Sequence, residues 1–232
     1  ILEVKLESQS VLWRPVFDLK NEPDEGWISI TCPDDFCQYD NICYLTYGST
    51  EPPQVGVRAS NPRTSLILRS ASQSQQGDLA DSLPLSGFGA KDVLSRKILV
   101  HQGEINSDVE KVLEEFVVKG GRLVLFPSET KSSNISKLFS WDPLEEKQKD
   151  EFFLVNNWRE DSGILANSSD GNRLPLDRLE IKRRRTPKQG ETLAYYSDGK
   201  PFLSSLTLGQ GFIYAFSTLP IDSWSSMTNG YV

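Results

Sequence analysis

The stretch VVKGGRLVLFPSE, residues 117–129, carries the reading of the fold. Its first residues end a helical pattern, a double glycine breaks the chain, and RLVLF follows as an apolar run bounded by Pro127. Upstream, NSDVEKVLEEFVVKGG (106–121) places Val109, Leu113, Phe116 and Val117 at helical spacing, so they share one face. Ser107 and Glu110 stand at the spacing of a capping box, and Gly120 or Gly121 supplies the left-handed cap. RKILVHQ (96–102) precedes that helix as a strand. Strand, helix and strand in this order form a crossover, which requires parallel strands and a right-handed connection.

The rest of the chain is organised around this unit. Residues 1–48 read as a small β module, with LEVKL, VLWRPVFDLK, GWISITC and NICYLTY as strands and Pro15 marking an edge or bulge. STEPP (49–53) reads as a linker, and an α/β domain covers 54–232. Within it, QVGVRAS (54–60) is a buried strand and NPRTSLILRSASQ (61–73) a helix capped by Asn61, with Pro62 at its first position. Residues 76–95 are loop-rich with one short turn of helix, and SNISKLFSWDP (133–143) reads as a short helix. FFLVNNW (152–158) is a strand or buried segment, and LDRLEIKRRRTP (176–187) a strand with a charged outer face. Residues 191–218 give three strands joined by Ser-Asp-Gly-Lys and Gly209-Gln210-Gly211 turns.

Composition narrows the function classes. The 232 residues are 38% apolar and 25% charged, a globular balance with enough length for a substantial core. A formal charge of −7 argues against a general nucleic-acid surface. No apolar run approaches the ~20 residues of a membrane span. The chain opens within a strand pattern at Ile1 and ends at Val232 without a polar tail, which reads as a piece of a longer protein. Cys32, Cys37 and Cys43 lack metal-ligand spacing and have no neighbouring histidine; they read as three buried or half-buried thiols, or as one disulfide and a thiol.

Each candidate for chemistry has a plainer structural explanation. Ser128 follows the RLVLF strand, where α/β enzymes place nucleophiles, but F-P-S-E-T lacks the small neighbours of a nucleophile elbow. His101, the single histidine, stands at a strand end beside Glu104, on the edge where open α/β sheets bind ligands. Asp34, Asp35, Asp40 and Asn41 do not follow a calcium-loop pattern and read as turn residues. Arg178, Lys182–Arg185 and Lys188 make a local basic patch, read as a solvated strand face. The G-F-G (87–89) and G-Q-G (209–211) pairs are not phosphate loops, because neither links a strand to a helix.

Three segments together resemble a known family. They are PDDFCQYDNICYLTY (33–47), then QVGVRASNPRTSLILRSA (54–71) with residues 98–128, then YSDGKPFLSSLTLGQGFIYAFSTLPIDSW (196–224). Their order is similar to the soluble region of bacterial membrane proteins related to the Bat aerotolerance regulators. That resemblance implies a flavodoxin-like, class I glutamine amidotransferase-like domain: a three-layer, mostly parallel sheet behind a small β-sandwich-like module. It implies a parent anchored in the bacterial inner membrane, this part being soluble and periplasmic, in contact with a protein partner. The Cys-His-Glu set of amidotransferases does not carry over, since no cysteine follows Cys43 and His101 stands outside the matching position. The expectation is a non-catalytic binding or assembly domain with no cofactor and no metal. Its ligand-binding candidates are His101, Glu104, Ser128 and Glu129; the alternative is a hydrolase or transferase using His101 and Ser128.

Overall fold

The computed structural model describes residues 25–31, 42–48, 53–72, 80–93, 95–130, 136–160, 163–167 and 173–228. The chain divides into two units, Ile1–Glu51 and Pro52–Val232. In the first, β1 (Glu25–Thr31) pairs antiparallel with β2 (Ile42–Gly48), with Trp27 opposite Thr46 and Ile30 opposite Cys43. Cys43 is a free thiol and is exposed, not buried as expected, as are its β2 neighbours Ile42, Tyr44, Leu45 and Thr46 on both faces of the strand. The expected strands before Glu25, together with Cys32, Cys37, Asp34, Asp35, Asp40, Asn41 and most of the linker, lie outside the described residues.

The second unit starts with β3 (Val55–Ala59) and α1 (Pro62–Ala71), whose N-cap Asn61 accepts a hydrogen bond from the Arg63 amide at 2.8 Å. Then come β4 (Asp81–Ser82), a single 3-10 turn at Ala90–Asp92, β5 (Ile98–Gln102), α2 (Ser107–Val118) and β6 (Arg122–Phe126). The remaining strands are β7 (Glu145–Glu146), β8 (Val155–Trp158), β9 (Arg183–Arg184), β10 (Glu191–Tyr196), β11 (Pro201–Leu208) and β12 (Gly211–Phe216). Eight of them form one sheet in the order β4-β3-β5-β6-β12-β11-β10-β8.

This sheet corrects the expected flavodoxin-like, class I glutamine amidotransferase-like fold. The pairs from β4 to β12 are parallel, but β12-β11, β11-β10 and β10-β8 are antiparallel, so the sheet is mixed. The physical cause lies in the connections. Gly209-Gln210 and the Asp198-Gly199 turn are too short to carry a chain back for a parallel strand, so β10, β11 and β12 fold as hairpins.

The helices cover opposite faces of the parallel half. Strand β6 alternates, sending Leu123 and Leu125 to α2 and Phe126 to the α1 side. Val109, Leu113, Phe116 and Val117 of α2 meet Leu99, Leu123, Leu125, Ile213 and Ala215. Leu68 of α1 joins Val57, Val100, Phe126 and Trp224. A third cluster, with Trp158, Ala194, Tyr196, Phe202 and Leu203, belongs to the antiparallel half.

Three local expectations change. The N-cap of α2 is Asn106, whose side chain accepts from the Val109 amide at 3.0 Å, one residue ahead of the expected Ser107. Glu110 is thereby released from a capping box and instead accepts from Ser136 Oγ at 2.8 Å and the Leu138 amide at 2.6 Å. Those bonds shape the described part of 136–143 as an irregular segment, not a helix. Burial works to raise the Glu110 pKa, yet the hydrogen bonds from Ser136 and the Leu138 amide outweigh it and lower it.

The third change concerns the basic run. Residues 176–187 form a 3-10 turn, three isolated bridges made by Ile181 and Pro187, and the two-residue β9, not one strand. Arg184 is only 1% exposed: its Nε and one terminal nitrogen donate to Glu145 Oε2 at 3.0 and 2.7 Å, and Asp198 takes its other side. The guanidinium lies between Phe153 and Tyr196, 3.9 and 4.6 Å from the ring centroids, and Lys200 completes the cluster through Glu145. Arg183 pairs with Glu146, while Lys182, Arg178 and Lys188 are exposed.

Two outcomes are expected. A Cβ at Gly211 would strike the carbonyl oxygens of Val117 and Gly121, which are backbone and cannot yield. Gly211→Ala should therefore lower unfolding free energy by about 1–3 kcal/mol or more in denaturant titrations, whereas Gly89→Ala, with open space around it, should stay within about 0.5 kcal/mol. Equal stability of the two variants contradicts the close crossing. Hydrogen bonding to Arg184 lowers the Asp198 pKa, and at Glu145 bonds from Lys200 and Arg184 outweigh the upward pull of burial. Both groups thus stabilise the fold above their unfolded pKa values of 3.8 and 4.5, and that contribution is lost as pH falls through the lower folded values. Arg184→Met should flatten the loss of stability below about pH 4 as well as destabilise at neutral pH; an unchanged acid slope contradicts it.

Candidate functional site

Because β3, β5 and β6 run parallel, their carboxyl ends share one edge of the sheet, and every candidate residue lies on or just beyond it. His101 pairs in register with Arg58 of β3 and Leu125 of β6; Gln102 pairs with Ala59 and Phe126. Successive residues of a strand point to opposite faces, so His101 and Gln102 serve different sides. Gly103 then turns the chain at φ +123°, a conformation that excludes most side chains, and Glu104 emerges exposed.

On the α1 side the Gln102 amide ties three strand ends together. Its Oε1 accepts from the Ser60 amide and hydroxyl at 3.1 and 2.9 Å, and its Nε2 donates to the Pro127 carbonyl at 3.2 Å. Pro127 thus ends β6 and still accepts a hydrogen bond. Beyond it, Ser128 Oγ lies 2.8 Å from Thr130 Oγ1 and accepts from the Thr130 amide at 3.2 Å, a local hydroxyl turn. Thr130 Oγ1 donates to Glu104 Oε1 at 3.0 Å, and Thr64 of α1 donates to Glu129 Oε1 at 3.2 Å. Arg185 approaches from the far segment and donates to the carbonyls of Thr130 at 3.2 Å and Asp142 at 3.2 Å. Burial lowers its pKa, with the negative charge of Glu104 acting in the opposite direction.

His101 belongs to another environment. It is 1% exposed, and its Nδ1 lies 3.3 Å from a terminal nitrogen of Arg58, itself 8% exposed. An arginine can only donate, so Nδ1 is the acceptor. Desolvation, and then the Arg58 charge, lower the His101 pKa to about 3 against the backbone of Glu104 and Gly103. The imidazole is neutral at physiological pH. It has no hydrogen bond to Ser128, whose hydroxyl is engaged with Thr130.

Of the expected residues, Glu104 and Ser128 share one polar network through Thr130, Glu129 is held separately by Thr64, and His101 stands apart from both. Three contributors were not singled out in the sequence, Arg58, Thr64 and Thr130, and a fourth, Arg185, was read only as part of a solvated basic patch. Arg58 had a visible signal, a charge inside the apolar run VGVRA. The link from Arg185 to this edge had none, since it is separated from Thr130 by 55 residues. Among the described residues no group of His, Cys, Asp and Glu is arranged to hold a metal ion, and no helix is long and apolar enough to cross a membrane.

No family model matches the sequence, and no curated protein matches it. Solved structures do. A β-galactosidase from Bacillus circulans sp. alkalophilus is similar at 14% identity over 72% of this chain and 28% of that one, with a TM-score of 0.50. Gan42B, a GH42 β-galactosidase from G. stearothermophilus, is similar at 13% identity over 73% of this chain and 28% of that one, also with a TM-score of 0.50. The cytoplasmic protein STM3548 from Salmonella typhimurium aligns over 87% of both chains at 11% identity and a TM-score of 0.48. The chain spans little more than a quarter of the β-galactosidases it matches, and the likeness is one of fold. It shares a domain fold with these hydrolases, which replaces the expected class I glutamine amidotransferase-like assignment.

The histidine offers a direct check. A pKa held below the ordinary 6.5 means that stability is present above 6.5 and declines as pH falls toward about 3, because the unfolded chain takes up the proton first. The nuclear magnetic resonance shifts of this single histidine should stay flat from about pH 8 to 5, and His101→Gln should remove part of the acid loss of stability. A midpoint near 6.5 would contradict the buried pairing with Arg58.

Proposed function

We propose that residues 54–232 act as a non-catalytic binding and assembly domain, engaging a protein partner through the carboxyl-end edge of the parallel strands. The observation that carries this is the state of the two residues with catalytic potential. Ser128 has its hydroxyl engaged with Thr130, and the single histidine is buried, neutral and bound to Arg58. A serine nucleophile needs a base in direct hydrogen-bond reach, and neither the histidine nor a carboxylate bonds Ser128 directly. What the edge does offer is acceptor oxygen at its surface: exposed Glu104 and half-buried Glu129, each held by one threonine hydroxyl. These suit a partner presenting lysine, arginine or free backbone amides. The setting, a protein held at the bacterial inner membrane with this part in the periplasm, is supported by the sequence resemblance to Bat-related proteins.

One observation favours a second reading, a hydrolase. The series Ser128–Thr130–Glu104 ends in a carboxylate, which gives a proton leaving Ser128 an acceptor through one intervening hydroxyl. The shared fold with β-galactosidases makes β-galactosides, beside simple esters, the substrates to try.

A photo-reactive residue placed at position 104 should cross-link in cells to one defined protein, and the same residue at exposed Lys149 should not. Charge reversal at Glu129 should weaken capture by roughly tenfold or more. In parallel, the purified chain and its Ser128→Ala variant should show equal, background hydrolysis of nitrophenyl esters and β-galactosides. Turnover lost in Ser128→Ala would overturn the binding reading in favour of the hydrolase.

A further inference from the structure

The partner-binding edge is braced by a residue of the distant basic run. Arg184 and Arg185 are successive residues of an extended segment, so their side chains leave on opposite sides. Arg184 turns to Glu145 and Asp198, and Arg185 to the loop after β6. The run itself is fastened on both flanks. The Arg185 amide donates to the Ser217 carbonyl at 2.7 Å, Thr218 Oγ1 to the Arg183 carbonyl at 2.8 Å, and Thr186 Oγ1 to Asp142 Oδ2 at 2.6 Å. Arg185 is therefore presented from a fixed backbone, and the residue is half-buried.

The guanidinium acts as a fork. Its Nε donates to the Asp142 carbonyl at 3.2 Å and a terminal nitrogen to the Thr130 carbonyl at 3.2 Å, with the Ser128 carbonyl 3.5 Å from that same nitrogen. Two nitrogens of one rigid plane thus join two chain segments, a task that the single ammonium of a lysine does not reproduce. Thr130 in turn holds Glu104, its hydroxyl donating to Oε1 at 3.0 Å. Glu104 is exposed, and an exposed glutamate samples many rotamers unless something holds it. Charge alone gives Arg185 the opposite effect. Its positive charge acts on Glu104 and would repel a partner presenting lysine or arginine.

We infer that Arg185 is a positioning residue of the partner-binding edge: its fork fixes the loop after β6, and Thr130 of that loop aims Glu104 at the partner. The edge thereby depends on a residue 55 positions further along the chain, and a partner meets a carboxylate already oriented. The inference rests on the partner reading of this edge for what Glu104 meets, and its test separates the two.

The test uses the full chain with Arg185→Lys, Arg185→Gln and Thr130→Val, each checked for an intact backbone spectrum away from the edge. Amide exchange at Thr130, whose N–H bonds Ser128 Oγ at 3.2 Å, should quicken roughly tenfold in both Arg185 variants while the amides of α2 stay protected. A photo-reactive residue at exposed Ser107 leaves Glu104 in place, and its cross-linking to the defined partner in cells should fall roughly tenfold in both. Thr130→Val removes the hydroxyl that holds Glu104; capture should fall as far, and no further when it is combined with Arg185→Lys. Lysine keeps the charge and loses the fork, so undiminished capture in Arg185→Lys overturns the inference. Stronger capture in Arg185→Gln, the outcome of charge repulsion alone, overturns it too, and so do additive losses in the double variant. Unchanged Thr130 exchange in folded Arg185→Lys overturns it without reference to any partner. Absence of a defined cross-link in the wild-type chain sinks the partner reading instead, and the exchange measurement still decides whether Arg185 holds the loop.

Discussion

Helix α2 lies so close to strands β6 and β12 that no side chain fits between them at Gly121 or Gly211. A Cβ at Gly121 would fall within the Phe116 ring, and one at Gly211 against main-chain carbonyls. This contact sets the rest of the larger unit. It brings β12 beside β6 in parallel register, with Ile213 opposite Leu123 and Ala215 opposite Leu125, so that α2 covers two strands at once. The antiparallel half then follows from hairpins growing outward from β12. The parallel half follows from the crossover through α2 itself. One close approach of backbones therefore joins two kinds of sheet.

Three arginines show how differently this chain accommodates buried positive charge. Arg184 has two carboxylates and two aromatic faces, a compensated arrangement that fastens β7 and β9 to the β10-β11 turn. Arg185 is half-buried and spends its donors on carbonyls at the loop ends of Thr130 and Asp142, which links the distant basic run to the strand-end edge. Arg58 is the most exposed to the penalty of burial, because its partners are two carbonyls and a neutral ring. Coulombic compensation serves Arg184, whereas Arg185 and Arg58 rest on main-chain carbonyls, Arg58 with a neutral ring beside it.

What the residues made legible follows from how local each feature is. The β5-α2-β6 crossover and the hairpins of β10, β11 and β12 are short-range, and periodicity together with glycine positions suffices to read them. The segment 176–187 misleads because its charges look solvated, while Arg184 is buried by Glu145 and Asp198, 39 and 14 residues away. The amidotransferase-like fold assignment failed for another reason. The hairpin turns of residues 191–218 are legible, yet a motif resemblance of modest specificity set them as an addition to a mostly parallel fold, where they supply half of a mixed sheet. At the site, Glu104, Ser128 and Glu129 could be placed on an edge from sequence, but their partners Thr64 and Thr130 are ordinary polar residues with no distinguishing pattern.

The alternation of β5 gives its carboxyl end two chemically distinct sides. Gln102 is fully committed: both ends of its amide are used to join Ser60 and Pro127, so it builds the edge and has little left for a ligand. His101, one residue earlier, turns to the other face and is left with an unused donor. A histidine that is neutral, fixed by arginine and stripped of water is a poor proton shuttle but a rigid, pH-insensitive hydrogen-bond donor. Gly103 separates this buried pair from the exposed carboxylate of Glu104 by a single turn that a larger residue would close against Ser60. The strand end is thus divided between a buried, positively charged side, whose arginine is held by two carbonyls and a neutral ring, and a surface side that presents carboxylates.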